Sequence, residues 1–146
     1  MDNRLTLNEF NGIRKNLEQI SSTWADLWVI LHLTQARVTH LLRCKYQDIH
    51  DDVMHLSAHR VFRDSHIALS LTARVIIRHR QQRYPEDTFL FQSHSSRVRA
   101  TAQPVTVIAF NIALKKAASG VTSKTISSKS ALSVLPGVAE WPANAP

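Results

Sequence analysis

The stretch Leu33-Thr34-Gln35-Ala36-Arg37-Val38-Thr39-His40-Leu41-Leu42-Arg43-Cys44-Lys45-Tyr46-Gln47-Asp48-Ile49 carries most of the structural information in this chain. A polar interruption at Thr34-Gln35 separates two apolar sets. After it, Val38, Leu41 and Leu42 recur at helical spacing, which predicts a helix ending near Tyr46. Before it, Trp24, Leu27, Trp28 and Leu31 form the stripe of another helix, with Ser21-Ser22-Thr23 offering its N-cap. Further upstream, Thr6-Leu7-Asn8-Glu9 reads as a capping box, in which threonine and glutamate satisfy the free amides of a helix start. Leu7, Phe10, Ile13, Leu17 and Ile20 continue from it as an amphipathic helix.

Downstream the period changes. Val53–Ser57 and Ser65–Leu69 alternate in part and flank the basic stretch His59-Arg60-Val61-Phe62-Arg63-Asp64, as two strands of a hairpin would. Ser70 opens a basic helix whose apolar side is read as Leu71, Val75 and His79, stopped by Tyr84-Pro85. Phe89-Leu90-Phe91 is a short apolar element, followed by a polar loop from Gln92 to Gln103. Pro104 suits the first turn of a last long helix, with Val105, Ile108, Ala109 and Ile112 as its core face and Gly120 at its end. The expectation is a mainly α fold with a small antiparallel β-sheet (α+β), formed by residues 1–135, with a proline-rich tail over 136–146.

Composition narrows the function classes. Of 146 residues, 44% are hydrophobic, enough for an ordinary core, and no apolar run reaches membrane-spanning length. The single cysteine, Cys44, excludes an internal disulfide framework, and with no leader-like apolar segment the expected location is cytoplasmic. The net charge of +7 is uneven: residues 57–146 hold twelve Lys/Arg against four Asp/Glu, whereas residues 1–56 hold six against seven. Such asymmetry favours a polyanion as partner. His55 and His59 are four apart, but on a strand and turn that spacing does not bring two imidazoles to one face, so no metal site is expected. Neither a phosphate-cradling glycine loop nor a nucleophile elbow is present, and no cofactor is expected.

The quoted stretch resembles the first signature of the tyrosine recombinases, or phage integrases, which runs T-G-x-R-x-S-E-L-L-x-L-x-W-x-D-I. Thr34, Arg37, Leu41, Leu42, Asp48 and Ile49 match it, with Val38, Thr39 and Tyr46 as conservative replacements. The order of elements agrees over about residues 5–133. The resemblance implies a tyrosine-recombinase catalytic-domain-like fold, double-stranded DNA as partner, and Arg37 at the position that contacts the scissile phosphate. The family's turn lysine falls on Arg60, with Arg63 nearby, and its H-x-x-R box on Lys129-Ser130-Ala131-Leu132. Arg37, Arg60 and Lys129 are therefore the expected remnant phosphate contacts, and Arg43, Arg63 and Lys124 further DNA-binding candidates.

The departures are specific. His40 stands where the signature has an acid, and Leu132 where it has a second arginine. The only tyrosines, Tyr46 and Tyr84, lie far upstream of the position of the nucleophile. The expectation is a DNA-binding homologue, C-terminally incomplete, that does not cleave strands alone. A helical protein-interaction module or dimeric regulator is the alternative, and a recombinase completed in trans by another protomer or a complete recombinase is the third reading.

Overall fold

The structure, a computed structural model, describes residues 3–95 and 101–136. Five α-helices surround one core, with a small sheet at one side: α1 (Leu7–Ile20), α2 (Ser22–Thr34), α3 (Val38–Leu41), β1 (Ile49–His50), β2 (Val53–Leu56), β3 (Ser65–Ala68), α4 (Leu71–Arg83) and α5 (Val107–Ala118). Short 3-10 turns span Tyr46–Asp48 and Ser128–Leu132. The proline-rich tail beyond residue 136 and part of the loop after Gln92 lie outside the described residues.

The capping box forms as read: the Glu9 amide donates to Thr6 Oγ1 and the Thr6 amide to Glu9 Oε1. Phe10, Ile13 and Leu17 of α1 are buried, and Phe10 stacks on Trp28 with ring centroids 5.0 Å apart. Trp28 Nε1 donates to the Phe10 carbonyl at 3.1 Å, so the largest core side chain keeps its one polar atom satisfied. Gly12 permits a close contact between α1 and the chain after α5, since a β-carbon there would meet Val121 at 3.1 Å.

The expected third helix is shorter than its apolar period suggests. It covers only Val38–Leu41, because the chain turns at Leu42 and Arg43 to enter the 3-10 turn, whose start is fixed by the Lys45 amide donating to Asp48 Oδ2. The three strands form one antiparallel sheet in the order β1-β2-β3. Asp51 and Asp52 both take positive φ between β1 and β2, the backbone of a primed two-residue turn. The β2–β3 pair places Val53 opposite Ala68 and His55 opposite His66.

Two helices bury a different face from the one expected. In α4 the core side is Ala73, Ile76, Ile77 and Arg80, while Leu71 is 67% exposed and His79 is exposed. An arginine on the inward stripe disguises that face as solvated. In α5, which starts at Val107 behind the N-cap Thr106 rather than at Pro104, the core side is Phe110, Ala113, Leu114, Ala117 and Ala118. Ile108 and Ile112, at 75% and 65% exposure, face outward. This helix is apolar nearly all round, so periodicity alone cannot select its inner side.

Arg80 is 2% exposed and bonded through each of its three guanidinium nitrogens: Nε donates to the Leu90 carbonyl at 2.9 Å, Nη1 to Asp26 at 3.1 Å and Nη2 to Thr23 at 3.3 Å. Its guanidinium also lies over Phe91 and Tyr84. Burial raises the pKa of Asp26 above the ordinary aspartate value, and the Arg80 charge opposes that rise. Replacing Arg80 with Met leaves Asp26 without its cation, and we expect a loss of about 3–5 kcal/mol in chemical denaturation. The double variant Arg80→Met/Asp26→Leu should recover part of it.

The outer end of α1 offers a pH test. Lys124 Nζ sits 2.7 Å from Glu9 Oε1 and donates to the Arg4 carbonyl at 2.8 Å. The Lys124 ammonium, the Thr122 hydroxyl and the Thr6 amide, in that order, hold the Glu9 pKa down at about 2 from 4.5. Because the folded-state value is the lower one, this contribution is complete above pH 4.5 and is lost as pH falls towards 2. Glu9→Gln keeps the capping geometry, so it should cost less than about 1 kcal/mol at neutral pH and flatten the acid limb of urea midpoint against pH.

Candidate phosphate-binding site

The quoted stretch builds a sharp corner between α2 and α3. Gln35 closes α2 in the left-handed region, at φ 58°, and its amide donates to the Leu31 carbonyl. This is the glycine position of the signature, and the backbone explains why a glycine suits it. Thr34 Oγ1 donates to the Ile30 carbonyl at 2.7 Å and accepts from the Ala36 amide at 3.3 Å, bracing the corner from inside. Ala36 is buried, and Arg37 then takes an extended conformation at the N-cap of α3 with its side chain exposed.

A cavity of about 120 Å³ opens there, lined by Arg37, Val38, Thr39, Phe62, Ser128, Lys129 and Leu132. Two of the three expected phosphate contacts, Arg37 and Lys129, thus lie on one cavity from positions 92 residues apart in sequence. The Lys129 wall is held by two side chains from the helices: Asn111 Oδ1 accepts from the Ser128 amide at 3.0 Å, and the His32 ring bonds the Ala131 carbonyl at 3.0 Å. The lining contains no acidic residue. Leu132, in the place of the signature's second arginine, contributes an apolar patch to the same cavity.

Arg60 does not line the cavity. It occupies the tip of a two-residue turn closed by reciprocal backbone bonds between His59 and Phe62. Phe62 forms part of the cavity wall and stacks on His40, centroids 4.9 Å apart and planes 14° from parallel. His40 is buried, and its Nε2 bonds the Ser57 carbonyl at 2.8 Å. The residue that replaces the signature's acid therefore clamps both the base and the tip of the basic turn against α3. Sequence reading assigned His40 only as a departure and Phe62 no role. An aromatic in a basic turn and a ring at the acid's position were the available signals, but their contact is between segments 22 residues apart.

The remaining candidates divide. Arg43 is exposed and lines a neighbouring groove with His40, Lys45, His55 and Ser57. Poor hydration, followed by the charges of Arg43 and Arg60, lowers the pKa of His59, so both arginines act on the start of the turn. Arg63 is exposed on the same excursion. Lys124 is set apart from them: its ammonium is engaged by Glu9 and the Arg4 carbonyl. Among the described residues, no hydrogen bond or ion pair holds the side-chain nitrogens of Arg37, Arg60, Arg63 or Lys129. Cys44, flanked by Arg43 and Lys45, is buried, and that burial pushes its thiol up to about 12, so it is a packing residue rather than a reactive one. Tyr46 is half-buried and burial raises its hydroxyl pKa.

The fold that these elements build in this order is that of the lambda integrase catalytic core. The particular likeness is to lambda integrase. The structure of its catalytic core superimposes with a TM-score of 0.71 at 16% identity, over 89% of this chain and 80% of that one. A lambda integrase dimer bound to a COC′ core site gives 0.71 at 17% identity, and a tetramer bound to a Holliday junction 0.68 at 16%. The chain spans only 39% and 40% of those two longer chains. No family model and no curated protein matches the sequence. Among the described residues, no helix is long and apolar enough to cross a membrane.

Arg60 has φ 53°, a conformation that favours glycine at the first position of such a turn. Arg60→Gly should therefore raise stability by about 1 kcal/mol in thermal or urea unfolding, showing that the arginine is held there at a cost.

Proposed function

We propose that this chain binds double-stranded DNA through its phosphate backbone, with Arg37 and Lys129 receiving one phosphate and Arg60, Arg63 and Arg43 extending the contact along the strand. The observation that carries this reading is the cavity shared by Arg37 and Lys129, open, free of acids and flanked by the clamped turn of Arg60. A guanidinium can meet two phosphate oxygens at once, and an ammonium supplies a compact second charge. The similar structures are of lambda integrase bound to a core site and to a Holliday junction, which supports the same reading.

The same lining argues against autonomous strand cleavage. Phosphoryl transfer needs positive charge concentrated where negative charge develops in the transition state. Leu132 supplies none, and Arg60 holds its proton too firmly to act as a general acid in a lysine's place. Neither Tyr46, half-buried with its hydroxyl pKa raised, nor Tyr84 lines the cavity. The chain is thus read as a binder of recombination-type DNA rather than a complete recombinase, with cytoplasmic DNA as its target. The outward-facing Ile108 and Ile112 favour a second role, pairing with another copy or with a complete recombinase.

Binding to a short duplex, followed by fluorescence anisotropy over a salt series, tests the proposal. The affinity should fall steeply with salt, and Arg37→Ala should weaken it and reduce the log–log slope by about 0.9, the share of one phosphate. Lys129→Ala should act similarly, whereas Leu132→Arg should tighten binding. Affinity that is flat between low and physiological salt, or unchanged in Arg37→Ala, overturns it.

A further inference from the structure

We propose that His55, Asp64 and His66 form a binding site for a divalent transition-metal ion of the Zn²⁺ type, at the base of the turn that carries Arg60. The β2–β3 register sets His55 directly opposite His66, and their imidazoles stack with centroids 4.3 Å apart and planes within 4° of parallel. Asp64, the residue before β3, reaches back over the pair. Its Oδ1 lies 2.8 Å from His55 Nε2 and its Oδ2 4.0 Å from His66 Nδ1. One ligand atom from each of the three falls within 4.8 Å of the others.

The donor set decides the class of ion. Two imidazole nitrogens and one carboxylate oxygen suit Zn²⁺, Ni²⁺ or Cu²⁺ better than Ca²⁺ or Mg²⁺, which prefer oxygen alone. Ligand atoms around a tetrahedral Zn²⁺ lie about 3.3 Å apart, given bonds of about 2.0–2.1 Å. The two carboxylate–imidazole separations, 2.8 and 4.0 Å, lie on either side of that distance, and all three side chains are partly exposed. Three protein ligands leave the fourth position to water. The Ala58 amide donates to Asp64 Oδ1 at 3.3 Å, an orienting contact of the kind that ligating carboxylates receive from a second layer.

Sequence spacing points elsewhere because it considers His55 with His59 along the chain, whereas the partner of His55 is across the sheet. An ion here would join β2 to β3 where the basic turn leaves the sheet, limiting the motion of that turn. The proposal does not depend on what the turn binds.

Calorimetric titration of the whole chain with Zn²⁺ tests it, alongside Co²⁺ binding followed by visible absorption. One equivalent should bind, raise the melting temperature and give a tetrahedral Co²⁺ band. His66 is 63% exposed in its side chain, so His66→Ala folds without difficulty, and it should weaken binding at least about tenfold and abolish the thermal shift. His94→Ala, which breaks the separate His94–Asp87 pair at 2.7 Å, should leave both unchanged. Equal Zn²⁺ affinity in His66→Ala and the unaltered chain overturns the assignment, as does the absence of any thermal shift at saturating Zn²⁺.

Discussion

The guanidinium of Arg80 is the point at which three segments of this chain are joined. It bonds Thr23 and Asp26 at the start of α2, the Leu90 carbonyl of the segment after α4, and it covers the faces of Phe91 and Tyr84. The Leu90 amide in turn donates to the Cys44 carbonyl, and the Tyr46 amide to the Thr88 carbonyl. Through these bonds the extended segment 88–91 is laid along the chain leaving α3, which fixes the far side of the corner that bears Arg37. A buried charge is costly unless its donors are all met. Here a planar fork of donors spans partners that no apolar side chain of the same size could link, so the cost is exchanged for a defined arrangement of helices.

The corner and the basic turn each carry local strain. Gln35 and Arg60 both adopt left-handed backbone conformations that glycine would occupy more easily. Arg37 and Lys129 share a cavity with no carboxylate in its lining, and Arg60 stands on the turn whose Phe62 forms part of the wall, so like charges repel one another in the isolated protein. Neither feature helps the fold. Elsewhere Glu9, Asp26 and Asp52 each meet a cation, and the unpaired positive charge at this edge is what the proposed contact with DNA phosphates would offset.

How much of this was legible in the sequence depended on whether the signal was local. The capping box, the α2 stripe and the antiparallel strands are short-range patterns and were readable. The inner faces of α4 and α5 were not, for opposite reasons: Arg80 made a buried face look polar, and Ile108 with Ile112 made an exposed face look buried. The site divides in the same way. The signature locates Arg37, and the box position locates Lys129, but only folding shows that Phe62 lines the same cavity and that His40 stacks on it. The cross-strand pairing of His55 with His66 is a register effect, invisible to any count along the chain.

His40 shows how one substitution can retain a scaffold while changing its chemistry. An acid at this position would place a negative charge beside the turn and the cavity. The imidazole reaches the Ser57 carbonyl and stacks on Phe62, so the turn remains clamped by a hydrogen bond and a ring contact. Leu132 works in the same direction, filling its part of the cavity wall without supplying charge. Both side chains are packed against their neighbours, and neither is the ionic residue that the signature has at its position. The forces that hold the basic turn and cavity together are thus separable from the charges needed to stabilise a phosphoryl-transfer transition state, and a chain can keep the first after giving up part of the second.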